Sequence, residues 1–197
     1  IILTYGSNAY AGFSLGGSAE LFTELPVIGF TVAATALAGK AKGQKNGPLF
    51  REYFRQQMWM NAIVSGIGGF VMVVFPTLLM RAVTDIPELI EIGKYYLIVM
   101  GFIYIPQNVQ RTMKGTIYGS MGDTKAPMII AMIGIWLFRI PLAALAAYVF
   151  HAPLFFIWIV IGVDQVARFI MMHFYMKKKG VMQCVALQEE NEAKQTA

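Results

Sequence analysis

Long apolar runs alternate along this chain with short stretches in which the charges collect. Met58 to Met80 holds no charged residue at all. That is enough to cross a bilayer, since a helix needs about 20 apolar residues to traverse about 30 Å of hydrocarbon. Ala126 to Phe150 forms a second run, interrupted only by Arg139, and Pro153 to Met176 a third that carries Asp164 and Arg168. Tyr95 to Tyr118 forms a fourth, in which Pro106 and Arg111 predict a break. Leu21 to Gly39 is a fifth, preceded by a Gly/Ser-rich run from Gly6 to Ser18 whose structure is ambiguous. Ile1 to Tyr5 reads as the tail of a further helix, and because Ile1 is no initiator methionine the chain is expected to continue upstream. Barrel strands would alternate with period two, whereas Met128 to Ile135 is continuously apolar. The pattern predicts an all-α, polytopic transmembrane helix bundle over residues 1–178, with five full spans plus a partial one, followed by a polar tail over residues 179–197.

The connections orient these spans. Counted in chain order, Lys40, Lys42, Lys45, Arg51 and Arg55 follow the first full span (Leu21 to Gly39), Lys125 the third (Tyr95 to Tyr118), and Lys177, Lys178 and Lys179 the fifth (Pro153 to Met176). The intervening connections are poorer in positive charge, so the positive-inside rule puts the C-terminus in the cytoplasm. Composition agrees: 57% of the residues are hydrophobic and 14% charged, with mean hydropathy +0.57. A soluble domain carries roughly a quarter charged residues. The net charge of +5 lies in loops beside apolar runs, which reads as orientation rather than nucleic-acid binding. Cys184 is the single cysteine, and His151 and His173 are far apart, so no metal site or catalytic grouping is expected. Neither a phosphate-binding Gly-x-x-x-x-Gly-Lys loop nor a His-Glu-x-x-His pair occurs, and no enzymatic activity is expected.

Ionisable groups inside the spans cost free energy and each asks for a reason. Glu20 and Glu24 stand one turn apart beside Pro26, so that their carboxylates share a helix face where a proton or cation could be captured. Alternatively both lie near an interface and face water. Asp164 and Arg168, also at i and i+4, are expected to neutralise each other inside the bundle. Arg139, just before Pro141, suits helix packing or a clamp on a free carbonyl. Gln107, Asn108, Gln110 and Arg111, after Pro106, are candidates to line a cavity or to bridge helices.

With the spans placed, three stretches resemble the multidrug and toxic compound extrusion (MATE) family of antiporters. Gly122-Asp123-Thr124-Lys125-Ala126-Pro127 is similar to its Gly-Asp-Thr-x-x-Pro loop between the tenth and eleventh helices. Trp136-Leu137-Phe138-Arg139-Ile140-Pro141-Leu142 is similar to the W-x-x-R-I-P-L run of the eleventh. Glu20, Pro26 and Ala33 to Gly43 fit the eighth helix and its small-residue exit. The resemblance implies the C-terminal lobe of a twelve-helix, two-lobe transporter whose N-terminal lobe is the missing partner. By the same resemblance, the protein sits in the inner membrane and exports amphipathic or cationic small molecules in exchange for Na+ or H+, without a cofactor. Where branches of the family carry an aspartate on the tenth helix, this chain has Gln107-Asn108-Val109-Gln110, with no carboxylate. The coupling acid then falls either to the missing lobe or to Glu24 or Glu20. A lipid-linked saccharide flippase of related plan is the alternative, though only Arg111, Lys114, Arg139 and Arg168 could serve its pyrophosphate.

Overall fold

The computed structural model describes residues 2–149 and 153–180. A 3-10 turn, Ile2–Tyr5, leads into α1 (Ser7–Gly43), α2 (Gly47–Val74), the short α3 (Pro76–Arg81), α4 (Pro87–Met121) and α5 (Lys125–Ile133). A π-helical segment, Gly134–Arg139, joins α5 to α6 (Ile140–Ala144), and a second, Leu145–Val149, follows it; α7 (Leu154–Lys178) closes the bundle. No strand occurs among the described residues, and five helical stretches are long and apolar enough to cross a membrane. The polar tail beyond Gly180, His151 and Cys184 lie outside the described residues.

The elements differ from the sequence expectation in three places. The ambiguous Gly/Ser-rich run is helical and belongs to α1. Its small residues Ala9, Gly12, Gly16 and Ala19 are buried at helical spacing. A Cβ on Gly12 would stand 2.6 Å from Ile92 and one on Gly16 2.7 Å from Tyr96, so these glycines let α1 meet α4 closely. Second, the uncharged run does not end its helix at Met80. Pro76 lacks an N–H and disfavours a helical Phe75, so α2 stops at Val74 and α3 begins afresh. At its other end α2 reaches back to Gly47, capped by Asn46 Oδ1, which accepts from Leu49 N–H at 2.9 Å. Third, Pro106 and Arg111 do not break the helix predicted over 95–118. Pro106 sits inside an uninterrupted α4, where the neighbouring Tyr104, Gln107 and Asn108 are buried and hold the axis. Neighbouring helices commonly re-satisfy a proline's freed backbone in this way.

Pro141 has the opposite effect. It can donate nothing to the Leu137 carbonyl and its ring crowds it, and the helix widens into the π-helical segment just before it.

α4 runs through the middle, packed against α1, α2 and α7. Around it the apolar core is divided. One cluster gathers Leu97, Met100 and Tyr104 of α4 with Met72 and Trp158; the other gathers Met113 and Ile117 with Phe50, Met172 and Met176. Between the two, on the middle turns of α4, lie Gln107, Asn108, Arg111 and Thr112. The outward faces are apolar: Trp59, Phe102 and Trp136 are each exposed by 67% or more, a surface suited to lipid contact.

The connection between α4 and α5 is built by its own side chains. Gly122 ends α4 in the left-handed conformation at φ 66°. Asp123 Oδ1 accepts from the N–H groups of Lys125 (2.9 Å) and Ala126 (3.2 Å), and its Oδ2 accepts from the Tyr175 hydroxyl of α7 at 2.5 Å. The Tyr175 hydrogen bond, helped by the backbone donors and Lys179, holds the exposed Asp123 carboxyl below its ordinary range.

Candidate functional site

The polar layer between the two apolar clusters brings together residues from α1, α2 and α4. Glu20 is buried, with 6% exposure. Its Oε2 accepts from the Tyr96 hydroxyl at 2.7 Å and its Oε1 from the Gln107 amide at 3.0 Å. Thr23 donates to the Glu20 carbonyl at 2.8 Å, and the Tyr104 hydroxyl lies 3.0 Å from the Thr23 hydroxyl. Among the described residues, both hydrogen-bond donors to the Glu20 carboxylate are thus neutral. One turn further along α1, Glu24 instead forms an ion pair with Arg111 of α4, a contact between Oε1 and Nη1.

The two carboxylates therefore differ in kind although they share a helix face. α1 and α4 run parallel, so Glu20 meets Gln107 and Glu24 meets Arg111 at the same sequence offset. Glu24 is paired directly with the guanidinium, whereas Glu20 has neutral hydrogen-bond donors and feels Arg111 only at a distance.

On the other side of α4 stands Asn61 of α2, fully buried. Its amide donates to the Asn108 carbonyl (2.8 Å) and the Thr112 hydroxyl (2.5 Å), while its Oδ1 accepts from Ser65 at 3.0 Å. Thr112, Thr116 and Ser120 continue the polar face of α4, the last two each donating to a carbonyl four residues back. Some buried polar atoms of this layer have no hydrogen-bond partner among the described residues: Gln57 Oε1, Gln107 Oε1 and both side-chain polar atoms of Asn108. Native interiors leave few such atoms, and each asks for a ligand or a reason.

Of the remaining sequence candidates, Gln110, Arg139, Asp164 and Arg168 share no hydrogen bond with this layer among the described residues. Gln107 and Asn108, 2% and 0% exposed, are closed in by α1 and α2. Gln110 is half-buried and engages no polar partner among the described residues. Asp164, fully buried, takes a two-pronged contact from Arg168, through Nε to Oδ1 at 2.7 Å and Nη2 to Oδ2. Gly134 makes room for that pair: a Cβ there would stand 2.3 Å from Arg168 Nε and 2.5 Å from Asp164 Oδ1. Arg139 makes no hydrogen bond or ion pair among the described residues, so the carbonyl clamp anticipated beside Pro141 is not formed. It lines a groove between the N-terminal turn, α1, α6 and α7.

Sequence reasoning passed over Asn61, Ser65, Thr112, Tyr96 and Tyr104. A signal was present: Gln57, Asn61 and Ser65 recur every four residues on α2, as do Asn108, Thr112, Thr116 and Ser120 on α4. Such polar stripes within apolar helices mark faces that bond across a bundle.

Comparison with known proteins gives this geometry a family. The MatE family model matches residues 1–145. The chain is 32% identical over 168 residues to the probable multidrug resistance protein NorM of Thermotoga maritima, covering 85% of this chain and 36% of that protein. It is 20% identical over 155 residues to the probable multidrug resistance protein YoeA of Bacillus subtilis, covering 79% and 33%. To the probable multidrug resistance protein NorM of Mesorhizobium japonicum it is 31% identical over 142 residues, covering 67% and 29%. The chain thus spans about a third of the length of these relatives. With the family match over most of its length and five helices fit to cross a bilayer, this chain is an integral, multi-pass membrane protein that belongs to the MatE family.

Proposed function

We propose that this chain is the C-terminal lobe of a secondary efflux transporter, which exports amphipathic or cationic small molecules in exchange for Na+ or H+ by alternating access, with its C-terminus in the cytoplasm. The multidrug resistance proteins among its relatives support the substrate class. The observation that carries the reading is Glu20. A carboxylate 6% exposed among membrane-spanning helices, with neutral donors on its oxygens, is the place in this lobe where a coupling cation would be held.

Gln107 Oε1 and Asn108 Oδ1, both without hydrogen-bond partners, are the oxygen donors that a bare Na+ would add to that carboxylate. In this reading Glu20 is the coupling acid. Glu24, favoured on sequence alone, is secondary because Arg111 already compensates it. Gln107 and Asn108 become accessible when α1 or α2 separates from α4, which couples the ion to the opening of the lobe.

The test is dye efflux from liposomes containing the intact protein, with a Na+ gradient or a pH gradient imposed separately. One gradient is expected to accelerate efflux. Efflux indifferent to both, or movement of a lipid-linked saccharide without any gradient, would overturn the proposal.

A further inference from the structure

A small cavity lies where α1, α2 and α4 meet, and its walls include Ala34 and Ala38 of α1, Phe50 and Gln57 of α2, and Thr116 of α4. These five residues are buried, none of them more than 9% exposed. The space therefore belongs to the interior of the bundle, not to a face that lipid or further chain would cover. It measures about 10 Å³, room for one water molecule.

Two of the walls carry oxygens suited only to accept. Gln57 Oε1 is buried without a hydrogen-bond partner among the described residues. The Thr116 hydroxyl directs its hydrogen to the Thr112 carbonyl at 3.1 Å, which leaves lone pairs on its oxygen. A water molecule, with two O–H groups, matches two such acceptors, and a buried acceptor without a donor is costly.

The cavity stands on a longer polar seam. Asn108, Thr112, Thr116 and Ser120 follow one another every four residues on α4, none more than 3% exposed. Asn61 of α2 faces them, donating to the Asn108 carbonyl and the Thr112 hydroxyl. Successive rungs rise by about 6 Å. That is about two hydrogen bonds end to end, a gap that one water spans. At one end Asn108, with both side-chain polar atoms unpartnered, adjoins Gln107, which holds Glu20. At the other, Ser120 precedes the last residue of α4 and the Lys125 connection, the side where the positive-inside rule places the cytoplasm.

We propose that the cavity between Gln57 and Thr116 binds an ordered water, one station of a hydrated seam along which the cation on Glu20 exchanges with the cytoplasm. No residue lining the cavity is charged, so a cation would pass this point without being held. The route rests on the coupling role proposed for Glu20; the water does not.

The water is tested by radiolytic hydroxyl labelling of the intact protein in liposomes, where an X-ray pulse makes radicals from water in place. Phe50, on the cavity wall, should be oxidised several-fold faster than Trp158, which is equally buried at 1% exposure in the apolar cluster and has the more reactive ring. Gln57→Leu should abolish the difference. The route is tested by dye efflux under a Na+ gradient and, separately, a pH gradient. Thr116→Val should lower the maximal ion-driven rate about tenfold, the scale of one hydrogen bond in the barrier, and leave the ion concentration for half-maximal efflux unchanged. Thr116→Ser should restore the rate, and Gln57→Leu should be as slow as Thr116→Val, which covers the case that Thr116→Val folds poorly. Phe50 labelled no faster than Trp158 would overturn the water site. Ion-driven efflux as fast in Thr116→Val and Gln57→Leu as in the wild type, or as slow in Thr116→Ser as in Thr116→Val, would overturn the route alone. A wild type indifferent to both gradients would overturn the coupling role of Glu20 and the route with it.

Discussion

Replacing Glu20 by glutamine separates charge from hydrogen bonding in a way the local geometry makes quantitative. The new amide keeps one oxygen to accept from the Tyr96 hydroxyl, now 2.7 Å from Oε2. Its NH2 group would oppose the Gln107 amide, which donates at 3.0 Å; but Gln107 Oε1 has no partner, so a flip of that side chain turns the clash into a bond. Stability should therefore change by no more than about 1 kcal/mol, the worth of one net hydrogen bond. Glu20→Ala has no such repair. It strands the Tyr96 hydroxyl and a Gln107 N–H in a buried layer, at about 1–3 kcal/mol each. Thermal unfolding of the intact protein in detergent should thus rank the wild type and Glu20→Gln together, with Glu20→Ala well below. Dye efflux should lose its ion dependence in both variants. If Glu20→Gln unfolded as early as Glu20→Ala, the carboxylate would be structural; if Glu20→Gln kept ion-dependent efflux, the coupling role would fall.

Other outcomes follow from the same contacts. Asp164→Asn leaves Arg168 unpaired in the bundle and should cost about 3–5 kcal/mol in chemical denaturation, whereas replacing both residues by leucine and methionine should recover most of it. Additive losses in that cycle would count against a coupled pair. Gly134→Ala should resemble Asp164→Asn, because its methyl group would occupy the space of the pair, and crosslinking or denaturation that finds it silent would refute this. In Tyr175→Phe the Asp123 carboxyl loses its main stabilising donor and its depressed pKa returns toward 3.8. A depressed folded-state pKa stabilises above the unfolded value and is lost as pH falls through the folded one. Tyr175→Phe should therefore lack a contribution that the wild type loses only in acid, and the stability gap between them should close below about pH 4.

The five spans could be read from the chain because hydropathy over twenty residues reports a solvent, and the bilayer is a simple one. The ends of the helices were harder. Pro76 stops a helix and Pro106 does not, although both sit in apolar runs. The difference is tertiary: Tyr104 and Gln107 are buried around Pro106, whereas exposed Phe75 and Thr77 flank Pro76. The Gly/Ser run before Leu21 was ambiguous for a related reason. Glycine lowers helix propensity in isolation but becomes favourable where another helix needs its absent side chain, as Ile92 and Tyr96 do. Glu20 and Glu24 were visible as a pair, yet which one is charged at no partner's expense depends on the register of α1 against α4. Residue spacing within one helix carries no information on that register.

That register has a mechanical consequence. Because Glu20 faces Gln107 and Glu24 faces Arg111 one turn along, a slide of α1 by a single turn, about 5.4 Å, would bring Glu20 opposite Arg111. In such a second seat Arg111 would answer Glu20 instead of Glu24, which would move opposite Gly115, so one guanidinium would serve the two carboxylates by turns. Under the proposed coupling at Glu20, a bound ion would favour the first seat and its departure the second.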